Sequence, residues 1–230
     1  YIDDTLKGEK KYLSGINGGK GVLLGGVTGI SPTELVILGA GTARTVAAKA
    51  ALGMGAVVKV FDYSISKLRE MEHNLGQRIF TSNLHPNVLA KALKSADVVI
   101  GTLRFLYGSR RFMVTDELIK LMKPNTVIVD LSVDQGGCFE TSKCTTIKDP
   151  MFVQYNIKHI CLPGVSVLVP RTASITFSNI ITPLLLDMGE RGGIMEHIKS
   201  DSGFCNGVYI YQGILTNHYI GKTYNIPSKD

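Results

Sequence analysis

The string VILGAGTAR contains the residues with the plainest chemical purpose. Gly39 and Gly41 are the first two glycines of a GxGxx turn between an apolar run and a helix-forming stretch. The first glycine permits a tight turn. The second lets backbone approach a pyrophosphate, which then rests on the helix N-terminus beside Thr42 and Ala43. An acidic partner belongs about 20 residues further on, at the end of the second strand. Asp62 stands there, closing KVFD. A carboxylate in that place accepts from both ribose hydroxyls and repels a 2′-phosphate, which favours NAD over NADP. Lys67 either reaches the ribose and phosphates or is a solvated helix lysine. Arg44 replaces the third glycine, so its side chain must point away from the sheet or push the helix outward. The plain alternative is a Gly-rich β-to-α connection with Asp62 as a strand terminator.

A second Gly-rich site is TVIVDLSVDQGGCFETS. Ligands of open α/β sheets bind beyond the carboxyl ends of the strands. A strand here delivers Asp134 to that edge, and Gly136 and Gly137 let the chain turn against a ligand. Asp134 either positions substrate and takes a proton near a nicotinamide, or caps the turn. Asp130 falls inside the strand pattern and reads as structural. Cys138 has no neighbouring His to activate it and reads as a buried thiol. His159 lies on an apolar strand and reads as a core histidine. His73, His85, His197 and His218 have no metal-ligand spacing, so no metal is expected. Arg171 follows Pro170 at a helix start, where it meets a phosphate, an interface or only solvent.

These residues need elements to carry them. ELVILG (34–39), AVVKVFD (56–62), RIFTSN (78–83), DVVIGTL (97–103), TVIVDLSVD (126–134) and HICLPG (159–164) read as strands. Helical stretches at 42–55, 64–76, 85–96 and 115–123 separate the first five. Such alternation implies a parallel sheet with right-handed crossovers, and the nearly unbroken apolar strands imply that both faces are covered. The expected fold is α/β and doubly wound. After Pro163 the alternation stops. Residues 172–200 read as helix interrupted by Pro183 and Gly192-Gly193, and two short β-like pieces flank Gly213. Residues 3–14 read as a surface helix.

Composition narrows the classes. Of 230 residues, 44% are hydrophobic and 19% charged, as in an ordinary globular chain. The 25 glycines exceed the roughly 16 of average usage, which points to many tight turns. The net charge of +6 raises the question of nucleic acid. The cations are scattered singly or in pairs, so no nucleic-acid partner is expected. No apolar run approaches the length of a membrane helix. Four cysteines without CxxC spacing, Cys138, Cys144, Cys161 and Cys205, fit free thiols and a cytoplasmic location. Tyr1 stands first, so the chain is read as beginning inside a longer protein.

The segments GKGVLLGGVTGISP, VILGAGT, VFD, ADVVIGTL, MKPNTVIVDLSVDQGGCFETS and PRTAS occur in that order, and SDSGFCNGVYIYQGILTNHYIG comes near the end. Together they resemble alanine dehydrogenases over nearly the whole chain. DQGGCFETS is the most specific part, since related transhydrogenase domains differ there. The resemblance implies NAD-dependent oxidative deamination of L-alanine to pyruvate and ammonia, and its reverse, in a cytoplasmic homo-oligomer, a hexamer by family. It also implies a two-domain subunit whose substrate-binding Arg, Lys and catalytic His lie in a domain absent here. Residues 1–20 would be a linking helix, 21–170 the NAD-binding Rossmann domain and 171–230 a helical return to the missing domain. Asp62 and Lys67 would face adenosine, and Leu103 and Arg104 the dinucleotide. Leu131, Ser132, Val133 and Asp134 would line the nicotinamide side, with Asp134 the catalytic-region acid. Lys143 and Leu162, Pro163, Gly164 and Val165 would complete the wall. Arg44, Gly164 in place of an Asn, Leu168 in place of an Arg, and the irregular RFLYGSRRFM depart from the family. They leave open a catalytically degenerate NAD-binding or assembly subunit.

Overall fold

A computed structural model of the chain describes residues 13, 15, 19–103 and 113–229. The helix expected over 3–14 falls outside these, apart from Leu13, which is buried in the core. The chain divides into two compact units, Tyr1–Leu168 and Val169–Asp230.

The first unit alternates as its apolar runs suggest. Its elements are β1 (Glu34–Leu38), α1 (Thr42–Gly53), β2 (Val57–Phe61), α2 (Ile65–Leu75) and β3 (Phe80–Ser82), followed by α3 (Pro86–Ser95), β4 (Val98–Gly101), α4 (Asp116–Lys120), β5 (Val127–Asp130), β6 (Phe152–Gln154) and β7 (Ile157–Ile160). They form one seven-stranded sheet in the order β3-β2-β1-β4-β5-β7-β6. Every pairing is parallel except β6 with β7. Winding runs outward from β1 to β3, then resumes at β4 on the other side of β1. The reversal between β1 and β4 opens a crevice beyond their carboxyl ends.

Alternate residues of each strand serve opposite faces. Leu35, Ile37, Val58, Val60, Val98 and Ile100 join Ala47, Ala48 and Ala51 of α1 and Leu68 and Met71 of α2. Val36, Leu38, Val99 and Ile128 join Leu89 and Leu93 of α3, Ile119 and Phe139. Both faces are therefore dry, which is why the strands read as continuous apolar runs. The alanine face of α1 lets that helix sit close to the strands that aim it. Ser64 caps α2 by accepting from Lys67 N at 3.4 Å, and Gly76 ends it at φ 68°.

The sixth strand differs from the sequence expectation. A hairpin stands there, β6 and β7 joined by Tyr155 and Asn156 at φ 53° and 60°. Two consecutive positive-φ residues suit a two-residue hairpin turn. The strand thus ends at Ile160, and the expected strand residues beyond it lead into a turn at Pro163 and Gly164.

The second unit contains α5 (Pro170–Glu190), α6 (Ile194–Ser200), α7 (Ser202–Asn206), the hairpin β8 (Ile210–Tyr211) and β9 (Ile214–Leu215), and α8 (His218–Tyr224). Pro183 does not interrupt α5. It removes one N–H from the ladder, and the leucines that follow carry the helix on. Gly192 and Gly193, at φ 87° and 107°, do separate α5 from α6. Among the described residues, no helix is long and apolar enough to cross a membrane.

Candidate functional site

The site begins where β1 leaves the sheet. Gly39 takes φ 113°, which bends the chain outward, and its N–H donates to Phe61 O at 2.6 Å. Gly41 is the extended N-cap of α1, and its carbonyl accepts from Arg44 N and Thr45 N at 2.9 and 3.0 Å. The first helical N–H groups, at Thr42 and Ala43, belong to the turn that has no intrahelical acceptor. They make an anion cradle at the positive end of the helix.

Asp62 anchors this loop. The buried carboxylate accepts from Ala40 N through Oδ2 at 2.7 Å and from Ser64 N through Oδ1 at 2.8 Å. It therefore joins the β1–α1 turn to the β2–α2 turn. An ionised carboxylate has about four acceptor positions, so two such bonds leave capacity for hydroxyl donors.

Arg44 neither points away from the sheet nor displaces the helix. It folds back over the glycine turn. Its Nε donates to Thr102 Oγ1 at 2.5 Å and its Nη2 to Thr102 O. Thr102 in turn donates to Leu38 O at 2.9 Å. The guanidinium thus spans the crevice between β1 and β4, and Nη1 fills the space that a Cβ on Gly41 would take.

The opposite wall comes from the end of β5. Asp130 is fully buried and accepts from Ser132 N at 2.9 Å, Cys138 N at 2.8 Å and Ser142 Oγ at 2.5 Å. Burial raises its pKa despite these donors. A 3-10 turn over Val133–Gln135 follows, and Asp134 on it is exposed. Burial first, then the Asp130 charge, pushes the Cys138 thiol up to about 12. Cys138 therefore stays a thiol at neutral pH, and its Sγ accepts from Leu103 N at 3.2 Å. His159 is buried, stacks on Phe152 at 4.7 Å and meets Thr141 Oγ1 at 2.7 Å. Burial lowers its pKa, which suits a neutral core imidazole. Among the described residues, no His, Cys, Asp and Glu cluster could hold a metal ion.

One cavity of about 590 Å³ joins the two walls. It is lined by Gly41, Thr42, Ala43, Arg44, Lys67, Thr102, Leu131, Ser132, Asp134, Gln135, Gly164 and Val165. A second, of about 430 Å³, runs between α1 and α2 past Thr45, Lys49, Lys67 and Asn74. Most of the residues singled out in the sequence therefore share one space. Gly39, Asp62, Leu103, Val133 and Leu162 are buried and do not line it, Asp62 acting from behind the loop it anchors, and Lys143 and Pro163 are exposed elsewhere. Arg104 lies outside the described residues. Gly164 takes φ 60°, a conformation that also suits the Asn of the resembling family. Thr102 and Gln135 were not anticipated. The place of Thr102, just past β4 at the reversal of strand order, was a readable signal.

The family model for the alanine dehydrogenase/PNT C-terminal domain matches residues 8–218. An alanine dehydrogenase of Mycolicibacterium smegmatis is 38% identical over 213 residues, 93% of this chain and 57% of that protein. An alanine dehydrogenase of Mycobacterium tuberculosis is 35% identical over 216 residues, 94% of this chain and 58% of its own. A solved L-alanine dehydrogenase superposes with a TM-score of 0.81 at 30% identity, covering 94% of this chain and 59% of that one. The chain thus spans less than two thirds of the length of the relatives it matches. The doubly wound sheet, the glycine turn with its acidic anchor and the match over residues 8–218 carry one conclusion: this chain belongs to the alanine dehydrogenase/PNT C-terminal domain family.

Proposed function

We propose that this chain is the NAD-binding portion of an L-alanine dehydrogenase, which oxidatively deaminates L-alanine to pyruvate and ammonia and runs in reverse. The carrying observation is the cavity of about 590 Å³ that leads from the Gly41–Ala43 cradle to Asp134. The residues fit the cofactor. The Thr42 and Ala43 N–H groups open the helix, Asp62 has spare acceptor capacity at the end of β2, and Arg44 Nη1, which fills the space beside Gly41, must swing aside.

In this reading Thr42 and Ala43 N–H groups hold the pyrophosphate, while Asp62 and Lys67 hold the adenosine ribose. Leu131, Ser132, Gly164 and Val165 form the wall of the nicotinamide end. When bound, NAD supplies the acceptor for the hydride from the substrate α-carbon. Asp134 is the acid exposed at that end, and its carboxylate orients the substrate amine and takes up a proton there. The substrate itself is held by residues outside this chain, so the chain alone binds NAD and does not turn over alanine. A homo-oligomer, implied by the family resemblance, and a cytoplasmic location, which four free cysteines fit, are part of the same proposal. Alanine-dependent reduction of NAD by the intact gene product tests the reading. Alanine-dependent reduction of NADP but not of NAD, or alanine turnover by this chain alone, would sink it.

Arg44 supports a second reading, a nucleotide-binding or assembly subunit without catalysis. Its guanidinium already occupies the cradle. Intact gene product that binds NAD but never reduces it with alanine would favour this second reading.

A further inference from the structure

Asp130 is assigned nothing in the reading above, yet its carboxylate closes the loop that carries Asp134. We propose that Asp130 is the positioning residue of the nicotinamide-side wall: one buried carboxylate pins both ends of residues 131–138 and so aims Asp134 and Leu131 into the cavity. This rests on the NAD reading of that wall.

The geometry is that of a clasp. β5 ends at Asp130, and its own side chain takes the Ser132 N–H on Oδ1 and the Cys138 N–H on Oδ2. The start and the finish of the loop are thus held by the two oxygens of one group. Within the clasp, Gln135 N and Gly137 N both donate to Ser132 O at 2.9 Å, which curls the segment into its 3-10 turn. Ser142 Oγ adds a third donor to Oδ2 from the chain beyond. Gly137 completes the fit. It takes φ 76°, and a Cβ there would stand 2.9 Å from Asp130 Oδ2. Gly137 is thereby explained without ligand contact.

Only a carboxylate satisfies this arrangement. Two backbone N–H groups and a hydroxyl converge on the two oxygens, and a buried charge is tolerated only with such donors. An amide at the same place would turn an NH2 toward one of the two backbone N–H groups and break the clasp at one end. Asp130 is itself fully buried and absent from the cavity lining, so its effect passes through the loop and not through ligand contact.

The test separates the two ends of the cofactor. The chain is titrated with NADH, reading emission of the bound dihydronicotinamide, and separately with ADP-ribose, reading heat. Wild type is expected to enhance NADH emission. Folded Asp130→Asn is expected to lose most of that enhancement, with its ADP-ribose dissociation constant within about twofold of wild type, because distant sites behave independently. Ser142→Ala removes one donor and spares both backbone bonds, so it decides the matter if Asp130→Asn does not fold. It should weaken the enhancement in the same direction, also without change in ADP-ribose binding. Undiminished emission in folded Asp130→Asn, or in Ser142→Ala if that variant decides, overturns the proposal while leaving the NAD reading intact. So does a parallel loss of ADP-ribose binding, which marks a merely structural role. A wild-type chain that binds ADP-ribose but does not change NADH emission overturns the nicotinamide wall and the proposal with it.

Discussion

Arg44 is where the chemistry of this chain departs most from the usual dinucleotide turn. A glycine there normally lets the helix approach the strand. The arginine instead lays its guanidinium against Gly41 and ties it to Thr102. A bound pyrophosphate needs the same volume, so the Thr102 bonds must break on binding. Each of the two hydrogen bonds is worth about 1 kcal/mol net, so Arg44→Gly should tighten NAD binding on the order of thirtyfold. The same substitution should cost about 1 kcal/mol of stability, since glycine is a poor helix former. Calorimetric titration reads the first effect and urea unfolding the second. A weaker NAD affinity in the variant would mean that the guanidinium swings onto the phosphates, and that the cradle is completed by the arginine.

Asp97 shows how elements are locked at the amino edge of the sheet, opposite the site. It accepts from Lys20 Nζ at 2.9 Å, Lys123 Nζ at 3.3 Å and Glu34 N at 3.1 Å, so it joins the starts of β1 and β4 to the chain around them. Burial opposes its ionisation, but the Lys20 bond, the Glu34 N–H and both lysine charges outweigh this and hold its carboxyl below the usual range. A carboxyl with a depressed folded pKa contributes stability above its unfolded pKa, which is lost as pH falls through the folded value. Wild type should therefore lose stability below about pH 4. Asp97→Asn should be less stable at neutral pH and flatter through that acid window, as followed by urea midpoints against pH. Equal slopes in the two proteins would refute this assignment.

Legibility at this scale follows burial. β1, β2, β4 and β5 were readable because two dry faces demand unbroken apolar runs. β6 was not. Phe152–Gln154 is three residues long and lies at the sheet edge, so neither run nor alternation marks it. At the site, Gly39, Gly41 and Asp62 were readable from spacing, because the turn needs those types in those places. The direction of Arg44 was not readable, because it depends on Thr102, which is 58 residues distant. The clasp on Asp130 was half readable: a structural aspartate was evident from the strand pattern, but its partners were not.

At the scale of the whole chain, the two units are unequal in what they bury. The clusters on both sheet faces lie in the first unit. α5 has no buried residue, and Phe177, Ile180, Leu185 and Leu186 on it are each about 60% exposed. Local stability tracks buried apolar contact. Native-state hydrogen exchange should therefore show the slowest amides in β1, β4 and β5, with α5 opening well below the global free energy. Equal protection of α5 and β1 would contradict that division.

The central claim is that the crevice between β1 and β4 binds NAD through the glycine turn and Asp62. Calorimetric titration of this chain with NAD and NADP, alongside folded Asp62→Ala, tests it most directly. The account predicts micromolar NAD binding, markedly weaker NADP binding and loss of the NAD heat in Asp62→Ala. No heat at millimolar NAD, or NAD binding that survives Asp62→Ala unchanged, would contradict it.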